Sequence, residues 1–277
     1  MGMAIFANNI FDTKGYQTTL NICMKKKRII KIGTSTLTAG TNRISFAVIE
    51  SLARQIVVLK KEYDIVIVSS GAIATARQFV EIKGYNKRVD SKQAMAAIGQ
   101  TKLMEIYDSI FSTFGLNIAQ ILMTYRDFEN ATAKENTRNT IKKLWEADYI
   151  PIVNENDTVS IEEIVLGDND KLSALVAVIT EADLLILVSD IDGIFTANPH
   201  LHADARLIEK VNDLNNIKQC IEEKESMLGT GGMSSKIHAA DICMNNGVEM
   251  WIVNGQRENY IIKALANEIP FTKFYSK

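Results

Sequence analysis

Two lysines far apart in the chain each stand beside a glycine-bearing turn, and a dense run of Asn and Asp lies between them. The first closes an apolar run in Lys31-Ile32-Gly33-Thr34-Ser35, which combines a cation, a glycine that lets backbone amides approach an anion, and two hydroxyls. That is the outline of a phosphate cradle. The second ends Gly229-Thr230-Gly231-Gly232-Met233-Ser234-Ser235-Lys236, where glycines and hydroxyls lead into a helical pattern whose first turn carries the lysine. Phosphates favour such a helix end. Between the two, Ser69-Ser70-Gly71-Ala72-Ile73-Ala74 brings small residues to a tight turn at a helix start, a further resting place for an anionic group.

The acidic and amide residues fall in two clusters, Asn154-Glu155-Asn156-Asp157 and Gly167-Asp168-Asn169-Asp170. Helix capping and turn formation explain Asp168 or Asp170 well, but they explain the full set poorly. Carboxylates at an anion site repel phosphate, so their tasks are to bind an ammonium group on a substrate or to position the lysines. An amino-acid substrate satisfies both. The stretch Ser189-Asp190-Ile191-Asp192-Gly193, running on to Asn198-Pro199, offers the polar edges that a nucleoside needs.

Several chemistries are disfavoured. There is no GxxxxGK[ST] spacing of a P-loop and no GxGxxG after the first strand for a dinucleotide. Cys23, Cys220 and Cys243 are too dispersed for a CxxC ligand pair and odd in number for a disulfide framework, which fits a reducing, cytoplasmic setting. His200 and His202 lie in a polar loop and His238 within a helical pattern, so no protein-built metal site is expected, and any Mg²⁺ would arrive with phosphate. A net charge of −2 gives no basic field for nucleic acid, and the cationic run from Lys25 to Arg28 reads as a solvated lead-in to a strand. No apolar run reaches the length of about 18 residues that spans a bilayer.

Converging these groups requires a scaffold that delivers several strand ends to one rim, which open α/β sheets do. Short β-rich runs at 29–32, 65–69, 117–122, 150–153, 184–188 and 248–253 alternate with helical periods at 43–60, 91–114, 132–147, 171–181, 234–245 and 258–267. The pattern predicts a three-layer α/β/α sandwich with a mostly parallel central sheet, its strands buried on both faces. A short hairpin is expected at 158–166. Residues 1–24 show no period and read as an N-terminal extension, leaving one domain over 25–277.

At this point the sequence resembles the amino acid kinase family, through KIGTSTLT from Lys31, SSGAIA from Ser69, SKQAMAAIGQ from Ser91, PIVNENDTV from Pro151, GDNDKLSALVA from Gly167 and GTGGMSSK from Gly229. Within the family, NEND followed by GDND is associated with the branch that phosphorylates the side-chain carboxylate of glutamate with ATP and Mg²⁺, the first step of proline biosynthesis. The resemblance implies that Lys31 and Lys236 contact the transferring phosphoryl group and that Asp170 orients them. It implies that Ser70, Asn154, Asp157 and Asn169 hold L-glutamate with Asp168 in support, and that Ser189, Asp190 and Thr230, Gly231, Gly232, Met233, Ser234, Ser235 and Lys236 line the ATP site. It also implies a homo-oligomer, dimer or tetramer, with proline as a feedback inhibitor, while the charge and the short apolar runs lead to an expectation of no nucleic-acid or membrane partner. Two positions depart from the pattern: Thr75-Ala76 replaces a usual glycine, and Asn198 stands for a common Asp. The end at Lys277 leaves no room for the C-terminal RNA-modification-type domain of many members, so a single-domain form is expected. Kinases for acetylglutamate, aspartate or a nucleoside monophosphate share the scaffold and remain alternatives, as does a non-catalytic amino-acid-sensing binder.

Overall fold

The computed structural model describes residues 25–80, 88–159, 169–197, 199, 202, 204–215, 217 and 232–275, and among these eight strands form one sheet. Six are the runs read from the sequence: β1 (Lys26–Ile32), β2 (Tyr63–Ser69), β3 (Asn117–Met123), β4 (Tyr149–Glu155), β5 (Leu184–Ser189) and β7 (Glu249–Asn254). Two more, β6 (Lys210–Val211) and β8 (Thr272–Phe274), are too short for an apolar period to reveal them. The order is β3-β4-β2-β1-β5-β7-β8-β6, and only the β7–β8 pair is antiparallel. Ile32 is level with Ser69 on one side and with Val188 on the other, so Gly33, Ser70 and Ser189 leave the sheet at the same rim.

The helices are α1 (Thr34–Leu37), α2 (Phe46–Leu59), α3 (Ala72–Phe79), α4 (Val89–Ser112), α5 (Ala131–Glu146), α6 (Asp170–Thr180), α7 (Gly232–Asn245) and α8 (Tyr260–Leu265). They cover both faces. Because side chains alternate along a strand, Ile29, Val66, Val68, Leu185 and Leu187 pack with Leu172 and Val176 of α6 and with Ala240 and Cys243 of α7. Ile30, Ile32, Ile67, Ile186 and Val188 pack on the opposite side with α2, α4 and α8. The same alternation puts Lys31 on the face of Ile29, toward α6.

Two expectations are modified. β3 is an edge strand and partly exposed along most of its length, so its apolar continuity does not reflect burial on both faces. All of the cationic run but Lys25 is part of β1, with Arg28 buried and its guanidinium 4.5 Å from the centre of the Tyr63 ring. Stacking on an aromatic face lets a guanidinium sit under the surface. Of the hairpin expected at 158–166, residues 160–166 lie outside the described residues.

α3 and α4 meet unusually closely. A Cβ on Gly99 would lie 1.8 Å from the carbonyl oxygen of Ala72, so only glycine permits this crossing. Gly99→Ala should therefore destabilise the fold by about 1–3 kcal/mol through overpacking, read as a lower urea midpoint. An unchanged midpoint would show that the two helices separate freely.

Candidate active site

Lys31, at the penultimate position of β1, points at the first residue of α6, and its Nζ lies 2.6 Å from Asp170 Oδ1. Lys236, in the first turns of α7, places its Nζ 3.1 Å from Asp170 Oδ2 and also donates to the carbonyl of Gly232. Ser235 Oγ donates to the same Asp170 Oδ2 at 3.0 Å. Asp170 is fully buried and Lys31 is 4% exposed. A buried charge is tolerated only when paired and hydrogen-bonded, and here one carboxylate restrains two ammonium groups. The trio itself keeps a positive surplus, suited to an anion with several charges. Gly33 stands beside it: a Cβ there would be 3.4 Å from Lys31 Nζ.

Next to the trio lies a network of amides. The side chain of Asn169, the residue before α6, caps no helix amide. Its Nδ2 donates to Ser69 O at 2.9 Å, Ser70 Oγ at 3.2 Å and Asn154 Oδ1 at 2.7 Å. Asn154 Nδ2 in turn donates to Gln100 Oε1 of α4 at 2.7 Å. Capping, weighed as an explanation of these residues in the sequence, is therefore not what Asn169 does. Ser70 is held in place by its own N–H, which donates to Ile32 O, and Gly71 turns the chain into α3 with φ of +98°, a value glycine adopts without strain. Thr75, where a glycine was expected, is buried and its hydroxyl donates back to Gly71 O at 2.8 Å.

Glu155 and Asp157 are both buried at the end of β4. Loss of solvent, followed by the neighbouring Glu155 carboxylate, pushes Asp157 up to about 6. Two carboxylates held this way are poised to accept an ammonium group.

The loop after β5 is braced from β7 and β8. Asp192 accepts from Arg257 Nε and Nη2, both at 2.7 Å, and from Asn254 Nδ2 at 3.0 Å. The Arg257 guanidinium holds the Asp192 carboxyl below its usual range. Ile194 N–H donates to Thr272 Oγ1, against which Gly193 packs so closely that a Cβ would come within 2.2 Å. Ser189 is buried, donates to Asp190 Oδ1 at 3.2 Å, and receives the Gly255 N–H on its carbonyl. Asp190 is exposed at the rim.

The structure thus gathers Lys31, Lys236, Asp170 and Ser235 into one cluster and Ser70, Asn154 and Asn169 into the adjoining one. Met233 packs against the core and Ser234 is exposed at the start of α7, where Gly232 is the first residue. Asp168, Thr230 and Gly231 lie outside the described residues. Gln100 and Arg257 join the site without having been assigned a role from the sequence, whereas Glu155 and Asp192 lie within the acidic cluster and the polar loop read there. Arg257 follows a strand end, so the rule that exposed the other loops reaches it when applied to β7 as well; Gln100, in mid-helix, carries no such signal.

Residues 26–254 match the amino acid kinase family, and the chain belongs to that family. It is 42% identical over 248 residues to glutamate 5-kinase 2 of Pseudoalteromonas translucida, covering 89% of this chain and 67% of that one. It is 43% identical over 251 residues to glutamate 5-kinase of Clostridium acetobutylicum, covering 90% of this chain and 94% of that one. Among solved structures, UMP kinase from Ureaplasma parvum superposes with a TM-score of 0.64 at 18% identity, over 91% of this chain and all of that one. Isopentenyl phosphate kinase gives 0.61 at 20% identity, over 89% and 99%. These two structures establish the three-layer fold with its mostly parallel sheet.

Asp157 should carry a cost to stability. Its carboxyl binds a proton more tightly folded than unfolded, so its ionisation opposes folding as pH rises from its ordinary value of 3.8 to about 6. Asp157→Asn should therefore raise stability near pH 7 by on the order of 3 kcal/mol. The gain should vanish below about pH 4, where both states are protonated. A variant equally or less stable at pH 7 in thermal melts would contradict this environment for Asp157.

Proposed function

We propose that the protein transfers the γ-phosphoryl group of ATP to the side-chain carboxylate of L-glutamate, forming glutamyl 5-phosphate. The observation that carries this reading is the Lys31–Asp170–Lys236 cluster placed directly against Asn169 and Asn154, a cationic centre abutting an amide network that runs on into two buried carboxylates, Glu155 and Asp157. Its similarity at 42–43% identity to two glutamate 5-kinases supports the choice of acceptor.

Phosphoryl transfer to a carboxylate demands alignment of two anions and neutralisation of charge on the transferring group. In the proposed mechanism the two lysines supply that neutralisation from opposite sides. Asp170 keeps both ammonium groups aimed without itself contacting phosphate. The acceptor carboxylate is already ionised and nucleophilic at neutral pH, so no side chain need act as a general base. Glu155 and Asp157 then serve the substrate ammonium, while Ser70, Asn154 and Asn169 set its orientation, with Asp168 in support. Ser189, Asp190 and the 230–236 segment receive the nucleotide. Among the described residues no group of three or more His, Cys, Asp or Glu side chains is arranged to hold a metal. Mg²⁺ enters this reading as a counter-ion that would be carried on the nucleotide phosphates and would neutralise charge there. The proposal extends to a kinase domain over 25–277, preceded by an extension at 1–24, and to a cytoplasmic homo-oligomer inhibited by proline. No described helix is long and apolar enough to cross a membrane.

Hydroxamate trapping with MgATP detects the acyl phosphate directly. Glutamate should give product, while N-acetylglutamate and aspartate should give little; UMP is tested in parallel by ADP release. Turnover with one of those and none with glutamate would overturn the assignment. Lys236→Ala should lower kcat by roughly 10²- to 10³-fold, the usual effect of removing one preorganised charge-stabilising donor. Near-wild-type turnover would remove Lys236 from the reaction centre.

A further inference from the structure

Among the described residues, two buried amide atoms in the site have no hydrogen-bond partner: Asn169 Oδ1 and Gln100 Nε2. They belong to the two ends of one relay, Asn169 to Asn154 to Gln100. The direction of that relay is fixed by backbone groups, whose donor or acceptor character is not in question. The carbonyl of Ser69 can only accept, so the Asn169 atom facing it at 2.9 Å is nitrogen. The N–H of Glu155 can only donate, so the Asn154 atom facing it at 2.9 Å is oxygen. Asn154 must then offer its nitrogen to Gln100, which answers with its oxygen and is left holding an NH₂ group. The relay therefore ends in an unused acceptor beside Asp170 and an unused donor on α4.

Buried polar groups are rarely left unpaired, and those that are mark places where a ligand group belongs. A relay with an acceptor at one end and a donor at the other is matched by a ligand that brings a donor and an acceptor in the opposite order. An α-amino acid is such a ligand. The ammonium suits the acceptor end, Asn169 Oδ1, because it can only donate, and an ionised carboxylate, which can only accept, finds no partner there. The anionic group must go to the donor end.

We infer that Gln100 is a substrate-binding residue whose Nε2 donates to the α-carboxylate of the amino-acid substrate, at the end of the relay away from the two lysines. This rests on the proposed function, in which the side-chain carboxylate occupies the lysine end. Gly99 makes the placement possible: lacking a Cβ, it lets α4 close onto Ala72, the first residue of α3, where the next residue, Gln100, meets Asn154. Gln100 is 9% exposed, and its neutral amide recognises a carboxylate without adding a charge to the buried site. The relay also gives the site a preference for free α-amino acids, since acylating the nitrogen removes its positive charge, leaves one N–H of three and adds bulk at the acceptor end.

Gln100→Met keeps the side-chain length and removes the amide. Calorimetric binding, without nucleotide, would compare three ligands: glutamate, glutarate (no ammonium) and 4-aminobutanoate (no α-carboxylate). The variant should lose about tenfold or more in affinity for glutamate and glutarate and stay within about twofold for 4-aminobutanoate, with the KM for ATP unchanged. Equal losses for all three would mean that Gln100 acts only by ordering Asn154, and an unchanged glutamate affinity would remove it from the site; either result overturns the inference. Gln100→Glu, which preserves the acceptor for Asn154 and puts a second oxygen at the donor position, should show the same discrimination more strongly and serves if the methionine variant fails to fold. Because these are binding measurements, they stand apart from the turnover assay: a wild-type protein that binds glutamate in this pattern but makes no acyl phosphate would retire the proposed reaction and leave the relay intact.

Discussion

One carboxylate, that of Asp170, holds two ammonium groups from opposite ends of the described chain, and the rest of the site is arranged around that triple contact. The physical difficulty is plain. Ammonium groups side by side repel, and burying either is unfavourable unless a counter-charge lies in contact. Asp170 supplies the counter-charge to both, and it can do so because it opens α6 at the rim where β1 and the start of α7 also arrive. Strand alternation turns Lys31 toward that helix, and the first turns of α7 bring in Lys236 and Ser235. The three-layer fold serves this convergence.

Unequal satisfaction of the polar groups follows from the same arrangement. The trio is tied internally yet carries surplus positive charge, the amide relay is closed along its length and open at both ends, and Asp157 is held where its ionised form is disfavoured. Each is a local cost to folding that a bound, doubly polar ligand offsets. Strain of this kind collects at functional sites because a fold optimised for stability alone would remove it. The braced loop after β5 is the contrast: Asp192, Arg257, Asn254 and Thr272 satisfy one another and hold a surface ready for a partner without storing cost.

Much of this was legible in the sequence, for identifiable reasons. The apolar runs of β1, β2, β4, β5 and β7 are uninterrupted because each is covered on two sides, and the glycines and hydroxyls after them stand out against that background. Lys31, Asn154, Asn169 and Asp170 were found because they follow strands or head a helix. Gln100 was missed because it sits inside α4, where helical periodicity gives no sign that one amide turns inward to meet Asn154. β6 and β8 were missed because two or three residues cannot show a period, and the edge position of β3 was invisible because strand order is a property of the whole chain.

The central claim is that both lysines act on one anion while Asp170 stays between them. A crystal structure with a non-hydrolysable ATP analogue, Mg²⁺ and glutamate tests it most directly. Lys31 Nζ and Lys236 Nζ should each lie about 3 Å from oxygens of the terminal phosphoryl group, with Asp170 still touching both. A terminal phosphoryl group reached by one lysine alone, with the other turned to a separate cavity, would contradict the account.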